Sequence, residues 1–348
     1  MKKDHTDMKR LTRSQPDIGK NRTPMRKVDY ILAGYERGGT TLLSEVFRAN
    51  GFESGFECGV LLGQRPADFP EIAPYWDMLL PGWRIDKAVR RKAIKGDFEH
   101  FYDTLCSAAF PDFTGPFFDK TPKYMESLGT VLHRAPSLKG AVVIHRDPRA
   151  VFVSQAKRLS PDLSVSSAVE KNFDNLVRRY LSYFIGSIAH LTDPRVLFVP
   201  FEDFVTREES WLKFIGLFAG GASFTKRKTR ARYINVSSQK MDHSKTNEFD
   251  RILPIELQKK ILHSTQLASL FFAGPMERTE YGDLWQEVSS NAEALLSRFE
   301  LPAYGHKVDG EYFEPLTYLI RYPDVLKAKV NPVEHYRRHG RSERRKPA

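Results

Sequence analysis

Cysteine is scarce in this chain of 348 residues: Cys58 and Cys106 are the only two. At most one disulfide is possible, and the spacing fits no CxxC or zinc-ligand pattern. That excludes a disulfide-stapled scaffold and a cysteine-built metal or redox centre, and it points to a reducing compartment. Long apolar runs are missing too. No window approaches eighteen uninterrupted apolar residues, and the first 27 residues carry charge without the apolar core of a secretory signal. The chain therefore reads as cytoplasmic, without a transmembrane segment, behind a flexible basic leader over 1–27. A basic middle is also lacking. The formal charge is +11, but residues 1–27 hold nine basic and three acidic residues and residues 327–348 eight and two, so the ends carry +12 and the rest about −1. This excludes a nucleic-acid-binding face spread over the fold and makes the two ends solvated basic tails.

What is present suffices for a large core: 41% of the residues are hydrophobic. Val28 to Gly34 (VDYILAG) is a short apolar run ending in glycine, as a strand buried in a parallel sheet requires. Thr40 to Asn50 has helical spacing, with Leu42, Leu43, Val46 and Phe47 on one side and Gly51 placed for a left-handed cap. Ala141 to His145 and Val196 to Pro200 repeat the strand pattern, each before a helical segment (149–159 and 202–219), and Phe117–Phe118 suggests one more short strand. Strands alternating with helices indicate an α/β fold with a parallel sheet. Residues 52–115, rich in proline, glycine and aromatics, read as helices and loops capping the open end of the sheet. Residues 165–191 and 254–272 read as long packing helices. From about 284 the pattern changes, and 311–345 form an aromatic, proline-punctuated unit.

Arg37-Gly38-Gly39-Thr40-Thr41 falls between the first strand and first helix, where small residues let backbone N–H groups approach a ligand and the helix N-terminus favours an anion. A nucleotide P-loop would place lysine after the second glycine; here Thr40 stands there, and GxGxxG spacing is absent as well. In Val143-Ile144-His145-Arg146-Asp147-Pro148-Arg149 the chain leaves a strand, turns at proline and enters a helix, so Arg146 and Ser154 converge on one anion. Two anion sites at two strand ends suit a nucleotide phosphorylated at both ends.

RGGTT resembles the 5′-phosphosulfate loop of the sulfotransferase superfamily, usually written RSGTT, with Gly38 in place of serine. RDPRAVFVS is similar to that family's 3′-phosphate motif, an arginine with a serine eight residues later. Asp119-Lys120-Thr121-Pro122 resembles the DKTP segment of carbohydrate and tyrosylprotein sulfotransferases, and Phe201-Glu202-Asp203-Phe204 the YEDL after a later strand. The resemblance spans roughly residues 28–245. It implies a P-loop-type three-layer fold, a central parallel sheet flanked by helices, over a domain at 28–283, with a small helical C-terminal module and basic tail at 284–348.

The activity so implied is transfer of a sulfuryl group from 3′-phosphoadenosine-5′-phosphosulfate (PAPS) to an acceptor hydroxyl, with a glycan favoured. By the resemblance, Arg37, Gly38, Gly39, Thr40 and Thr41 hold the 5′-phosphosulfate, Arg146 and Ser154 the 3′-phosphate, and Ser237 closes the nucleotide site. Lys120 and Arg37 stabilise transition-state charge, and Glu57 is the base, with Glu53 its rival. The basic segment 226–232 (KRKTRAR) either touches the nucleotide or is a solvated charge run. Cationic side chains in place of metal suit a singly charged sulfonate, so no metal is expected. His145 and His133 read as packing residues, and His335 with His339 as aromatic packing. The end of the chain resembles a module that accompanies bacterial glycosyltransferases, which tilts the acceptor toward a bacterial glycan. Two rival readings stand: a P-loop nucleotide kinase or phosphotransferase, disfavoured by the missing lysine, and a noncatalytic nucleotide-binding protein, for which Glu36 and Gly38 are the relevant departures. Oligomeric state has no signature in the sequence.

Overall fold

The computed structural model describes residues 25–220, 224, 246–271, 290–303 and 305–348. Strand β1 (Val28–Gly34) leads to helix α1 (Thr40–Ala49). An insertion of short 3₁₀ turns and helices α2 (Tyr75–Trp83), α3 (Lys87–Ala93) and α4 (Phe98–Ala109) comes before β2 (Phe117–Lys120). Then follow α5 (Leu128–Arg134), β3 (Gly140–His145), α6 (Pro148–Leu159), α7 (Val165–Lys171), α8 (Phe173–Ile185) and β4 (Val196–Pro200). Helices α9 (Phe201–Thr206), α10 (Glu208–Phe218), α11 (Glu248–Ile252), α12 (Ile255–Ser264) and α13 (290–298) come next. The chain closes with the hairpin β5 (His306–Val308) and β6 (Glu311–Phe313) and helices α14 (Pro315–Arg321), α15 (Pro323–Lys327) and α16 (Pro332–His335).

The four long strands form one parallel sheet in the order β2-β1-β3-β4. Their buried residues alternate between two apolar clusters, with Ile31, Ala33, Ala141 and Val143 in one and Tyr30, Leu32, Val142 and Ile144 in the other. A sheet covered on both faces explains why the strands read as continuous apolar runs. Register sets the C-terminal ends side by side, Leu32 opposite Lys120, Gly34 opposite Ile144 and His145 opposite Pro200. The chain crosses from β1 to β2 on one side and to β3 on the other, so the β1/β3 crevice is the switch point where α/β sheets bind ligands.

Several expectations need correction. Residues 165–191 are not one helix: α7 stops at Lys171, α8 restarts at Phe173, and a separate 3₁₀ turn covers Ile188–His190. Asn172 marks the break, its amide bonded to the Ala168 carbonyl and the Ser160 hydroxyl, the local competition through which asparagine interrupts helices. Residues 202–219 likewise divide at Arg207 into α9 and α10. The C-terminal unit carries the expected helices, but the antiparallel pair of β5 and β6 was not expected there. Nor is its basic end a solvated tail: Arg341 pairs with Asp309 and Glu311, Arg345 with Asp324, and Lys346 with Glu126. Phe313, Leu316, Tyr318 and Leu319 share one apolar cluster with the strands. At the other end Arg26 is already anchored, its N–H 2.8 Å from Asp103 and its guanidinium on the Phe110 and Pro111 carbonyls.

Candidate active site

The loop after β1 is tight. Gly38 N–H donates to the Tyr35 carbonyl at 2.8 Å, and Arg37 takes a left-handed φ of 70°. Glycine is required at Gly34, where a Cβ would lie 2.2 Å from the Ile144 carbonyl, and at Gly39, where φ is 105° and a Cβ would lie 2.6 Å from the Phe201 ring. Gly39 caps α1, whose first turn has no side-chain cap and no acidic residue. The N–H groups at this helix end therefore carry their partial positive charge toward the crevice.

Arg146 leaves the end of β3 into the same crevice. Its guanidinium donates to the Arg37 carbonyl at 3.3 Å, lies over the Phe201 ring at 4.6 Å, and comes within 3.9 Å of Glu202. Tyr180 holds its carbonyl at 2.7 Å. Burial lowers the Arg146 pKa and pushes the Glu202 carboxyl up to about 7. From α6, Ser154 accepts a hydrogen bond from Arg37 Nε at 3.0 Å. Arg37, Gly39, Thr40, Thr41, Arg146 and Ser154 thus line one cavity of about 390 Å³, together with Lys157, Glu248 and Phe249. Gly38 stands one residue behind this lining, where a Cβ would lie 2.7 Å from the Tyr35 carbonyl.

At the neighbouring strand end, Lys120 is 4% exposed and donates to Glu57 Oε1 at 2.7 Å, with its ammonium 4.7 Å from the Phe56 ring centre. Glu53 lies elsewhere. It bridges to Phe117 at the start of β2 and pairs with Arg48 at 3.5 Å, at the opposite end of the strand from Lys120. His145 is fully buried beside Phe184, and burial lowers its pKa to about 3, so it stays neutral. His133 stacks on Tyr312, and His335 meets the Tyr318 hydroxyl at 3.0 Å. Ser237 and the segment 226–232 lie outside the described residues.

The sequence reading missed three contacts of this site. Glu36, beside Arg37, forms an ion pair with Arg179 of α8 and accepts from the Tyr183 hydroxyl, tying the loop to that helix. Glu202 accepts from the Asp147 N–H at 3.1 Å, beneath the turn that carries Arg146. Asp119 and Thr121 flank Lys120 and are buried. Glu202, Asp119 and Thr121 stand in motif segments and Glu36 beside the loop arginine, but none of their partners is marked in the sequence.

The sulfotransferase family model matches residues 31–224, more than half of the chain, from within β1 to beyond α10. The chain belongs to the sulfotransferase family. Among solved structures, the sulfotransferase domain of the olefin synthase from Synechococcus PCC 7002 shares 19% identity, with a TM-score of 0.50 over 76% of this chain and 99% of that domain. That likeness bears on the fold. The sulfotransferase domain from the curacin biosynthetic pathway aligns at 16% identity and a TM-score of 0.47, over 72% of this chain and 99% of that one. No curated protein sequence matches. Membership settles the rivalry with a kinase in favour of sulfuryl transfer, and among the described residues no helix of this sulfotransferase is long and apolar enough to cross a membrane.

Proposed function

We propose that this sulfotransferase uses PAPS as donor and sulfates a hydroxyl of a glycan. The observation that supports the donor most is the convergence of Arg37, the α1 N-terminus, Arg146 and Ser154 on one cavity at the β1/β3 switch point. The residues fit a nucleotide with a phosphate at each end. Backbone N–H groups and the Arg37 guanidinium suit the 5′-phosphosulfate, and the partly desolvated Arg146, with the Ser154 hydroxyl in the same cavity, suits the 3′-phosphate.

Glu57 and Lys120 divide the chemistry. The Glu57 carboxylate takes the proton of the acceptor hydroxyl as its oxygen bonds to sulfur. The bond from sulfur to the bridging phosphate oxygen breaks, and 3′,5′-ADP leaves with the negative charge. Lys120 and Arg37 stabilise that charge, the role that positioned cations fill in phosphoryl transfer. Glu57 is favoured over Glu53 because it lies on Lys120 at the C-terminal edge of the sheet. The glycan assignment rests on the resemblance of the DKTP segment and of the C-terminal unit.

The test is transfer of radiolabelled sulfate from PAPS to a panel of neutral and acidic bacterial polysaccharides, with phenols and tyrosine peptides as competitors. Label on polysaccharide, lost in Glu57→Gln and retained in Glu53→Gln, supports the reading. Label on phenol or peptide alone overturns the acceptor, and no label on any acceptor from a protein that binds 3′,5′-ADP overturns catalysis by this pair.

A further inference from the structure

We propose that Asp119 and Thr121 are positioning residues that clamp Glu57 against Lys120 from behind the site. The functional meaning of this clamp rests on the reading of Glu57 and Lys120 given above. In the extended segment Asp119-Lys120-Thr121, the outer two side chains turn inward together and the lysine turns the other way. Asp119 is fully buried, and among the described residues no basic side chain bonds it; three hydroxyls do, Tyr102 and Tyr124 on Oδ2, both at 2.7 Å, and Thr121 on Oδ1 at 2.9 Å, and the Cys58 N–H adds to them.

Thr121 is the node. While its hydroxyl donates to Asp119, its oxygen accepts the N–H of Cys58 at 3.1 Å and of Gly59 at 3.0 Å. Its own N–H donates to the Leu32 carbonyl of β1 at 3.1 Å. Tyr124 adds a contact, its hydroxyl 3.4 Å from the Leu61 N–H. The residue before Cys58 is Glu57, whose carboxylate meets Lys120 at 2.7 Å. A closed ring results: from Lys120 along the chain to Thr121, across to the Cys58 N–H, back to Glu57, and through its carboxylate to the Lys120 ammonium.

The ring has a mechanical reason. The segment carrying Glu57 is a loop, and its ladder contact with β2, the Glu53 bridge, lies at the far end of that strand. Upstream the loop is held by Arg48 on the Ser54 and Gly55 carbonyls and by the Phe56 N–H on the Gly82 carbonyl at 2.9 Å, but neither contact refers Glu57 to the β2 end, and a catalytic pair displaced by even about 1 Å loses much of its effect. Thr121 supplies an anchor from the strand that carries Lys120, so base and cation share one reference. Asp119 fixes the Thr121 hydroxyl so that its lone pairs face the loop. Breaking buried bonds of this kind without water to replace them is costly, which makes the arrangement stiff.

The test is the rate of Lys120 acetylation by acetic anhydride, read by mass spectrometry and normalised to Lys123 in the same segment. Thr121→Val keeps shape and removes the hydroxyl; Thr121→Ser restores it. In Thr121→Val, Lys120 should label about tenfold faster than in the wild type, because the hydroxyl's bonds to Asp119, Cys58 and Gly59 are lost together. Thr121→Ser should return to the wild-type rate, and 3′,5′-ADP affinity should stay within about twofold in both. A packing role alone would lower the melting temperature without changing the Lys120 to Lys123 ratio, and that result overturns the clamp. Should Thr121→Val fail to fold, Tyr102→Phe decides: faster Lys120 labelling supports the clamp, and an unchanged ratio overturns it. Failure of the wild type to bind 3′,5′-ADP would sink the donor reading and leave the labelling ratio to judge the clamp alone.

Discussion

Replacing His190 by glutamine should loosen the C-terminal unit from the sheet domain in a pH-dependent way. His190 is 4% exposed, with Nε2 2.7 Å from Glu314 Oε1 and Nδ1 3.2 Å from Asp193 Oδ2. Glu314, itself fully buried, also accepts from the Tyr312 hydroxyl and the Thr317 hydroxyl, both at 2.9 Å, while Asp193 carries Arg195 at 2.8 Å. Gly129 makes room for the carboxylate, since a Cβ there would lie 1.7 Å from Glu314 Oε1. Burial by itself lowers the His190 pKa, but the bonds to Glu314 and Asp193 outweigh it and the pKa is raised above the ordinary 6.5. A base raised on folding contributes stability that is fully present below its unfolded pKa and lost as pH rises through the folded one. One proton limits the slope to about 1.4 kcal/mol per pH unit. Losing one member of a buried pair costs about 3–5 kcal/mol, and the glutamine amide recovers part by donating to Glu314, so a loss of about 2–3 kcal/mol is expected near pH 6. Urea unfolding of both proteins at about pH 6 and about pH 8.5 checks this, because other titrating groups cancel in the difference. The gap should narrow at the higher pH. Parallel pH dependences in the two proteins would refute the reasoning.

Three further outcomes follow from the site. Gly39→Ala should lose about 1–3 kcal/mol of stability in thermal melts, because φ is 105° and the new methyl meets Phe201; an unchanged melt would show that the loop has slack. Since Glu202 carries a pKa of about 7 beside Arg146, 3′,5′-ADP binding should weaken as pH rises through that value, when the new carboxylate competes for the arginine. Glu202→Gln should flatten the step in a calorimetric pH series. Lys120→Ala should lower kcat by about 10²–10³ with donor affinity nearly unchanged, as for other lost transition-state contacts, checked by transfer kinetics and direct binding.

The legible parts of the fold were those fixed by local chemistry. Val28–Gly34, Val196–Pro200 and the helix starting at Thr40 are where the apolar runs and glycines put them, because a strand covered on both faces has no polar alternation to blur it. Gly51 takes the expected left-handed conformation with φ of 91°. The breaks at Asn172 and Arg207 carry no glycine or proline, and three-residue strands such as β5 and β6 are too short for a period to register. The basic C-terminal residues looked like a tail because their acidic partners, Glu126, Asp309 and Glu311, are distant in sequence or few in number. In the site, the glycine loop and the arginine turn were visible as motifs. The meeting of Glu57 with Lys120 joins residues 63 apart and became visible only through family resemblance. The Asp119–Thr121 network was invisible, since a buried carboxylate held by tyrosine hydroxyls leaves no spacing signature.

The central claim is that this sulfotransferase holds a nucleotide with phosphates at both ends between the β1 loop and the β3 turn. Calorimetric titration of 3′,5′-ADP into wild type and Arg146→Ala, both in EDTA, tests it most directly. The account predicts one site in the folded wild type and a loss of about 3 kcal/mol, roughly a hundredfold in Kd, in the variant. A folded wild type that does not bind without metal, or a variant that binds as tightly as the wild type, would contradict it.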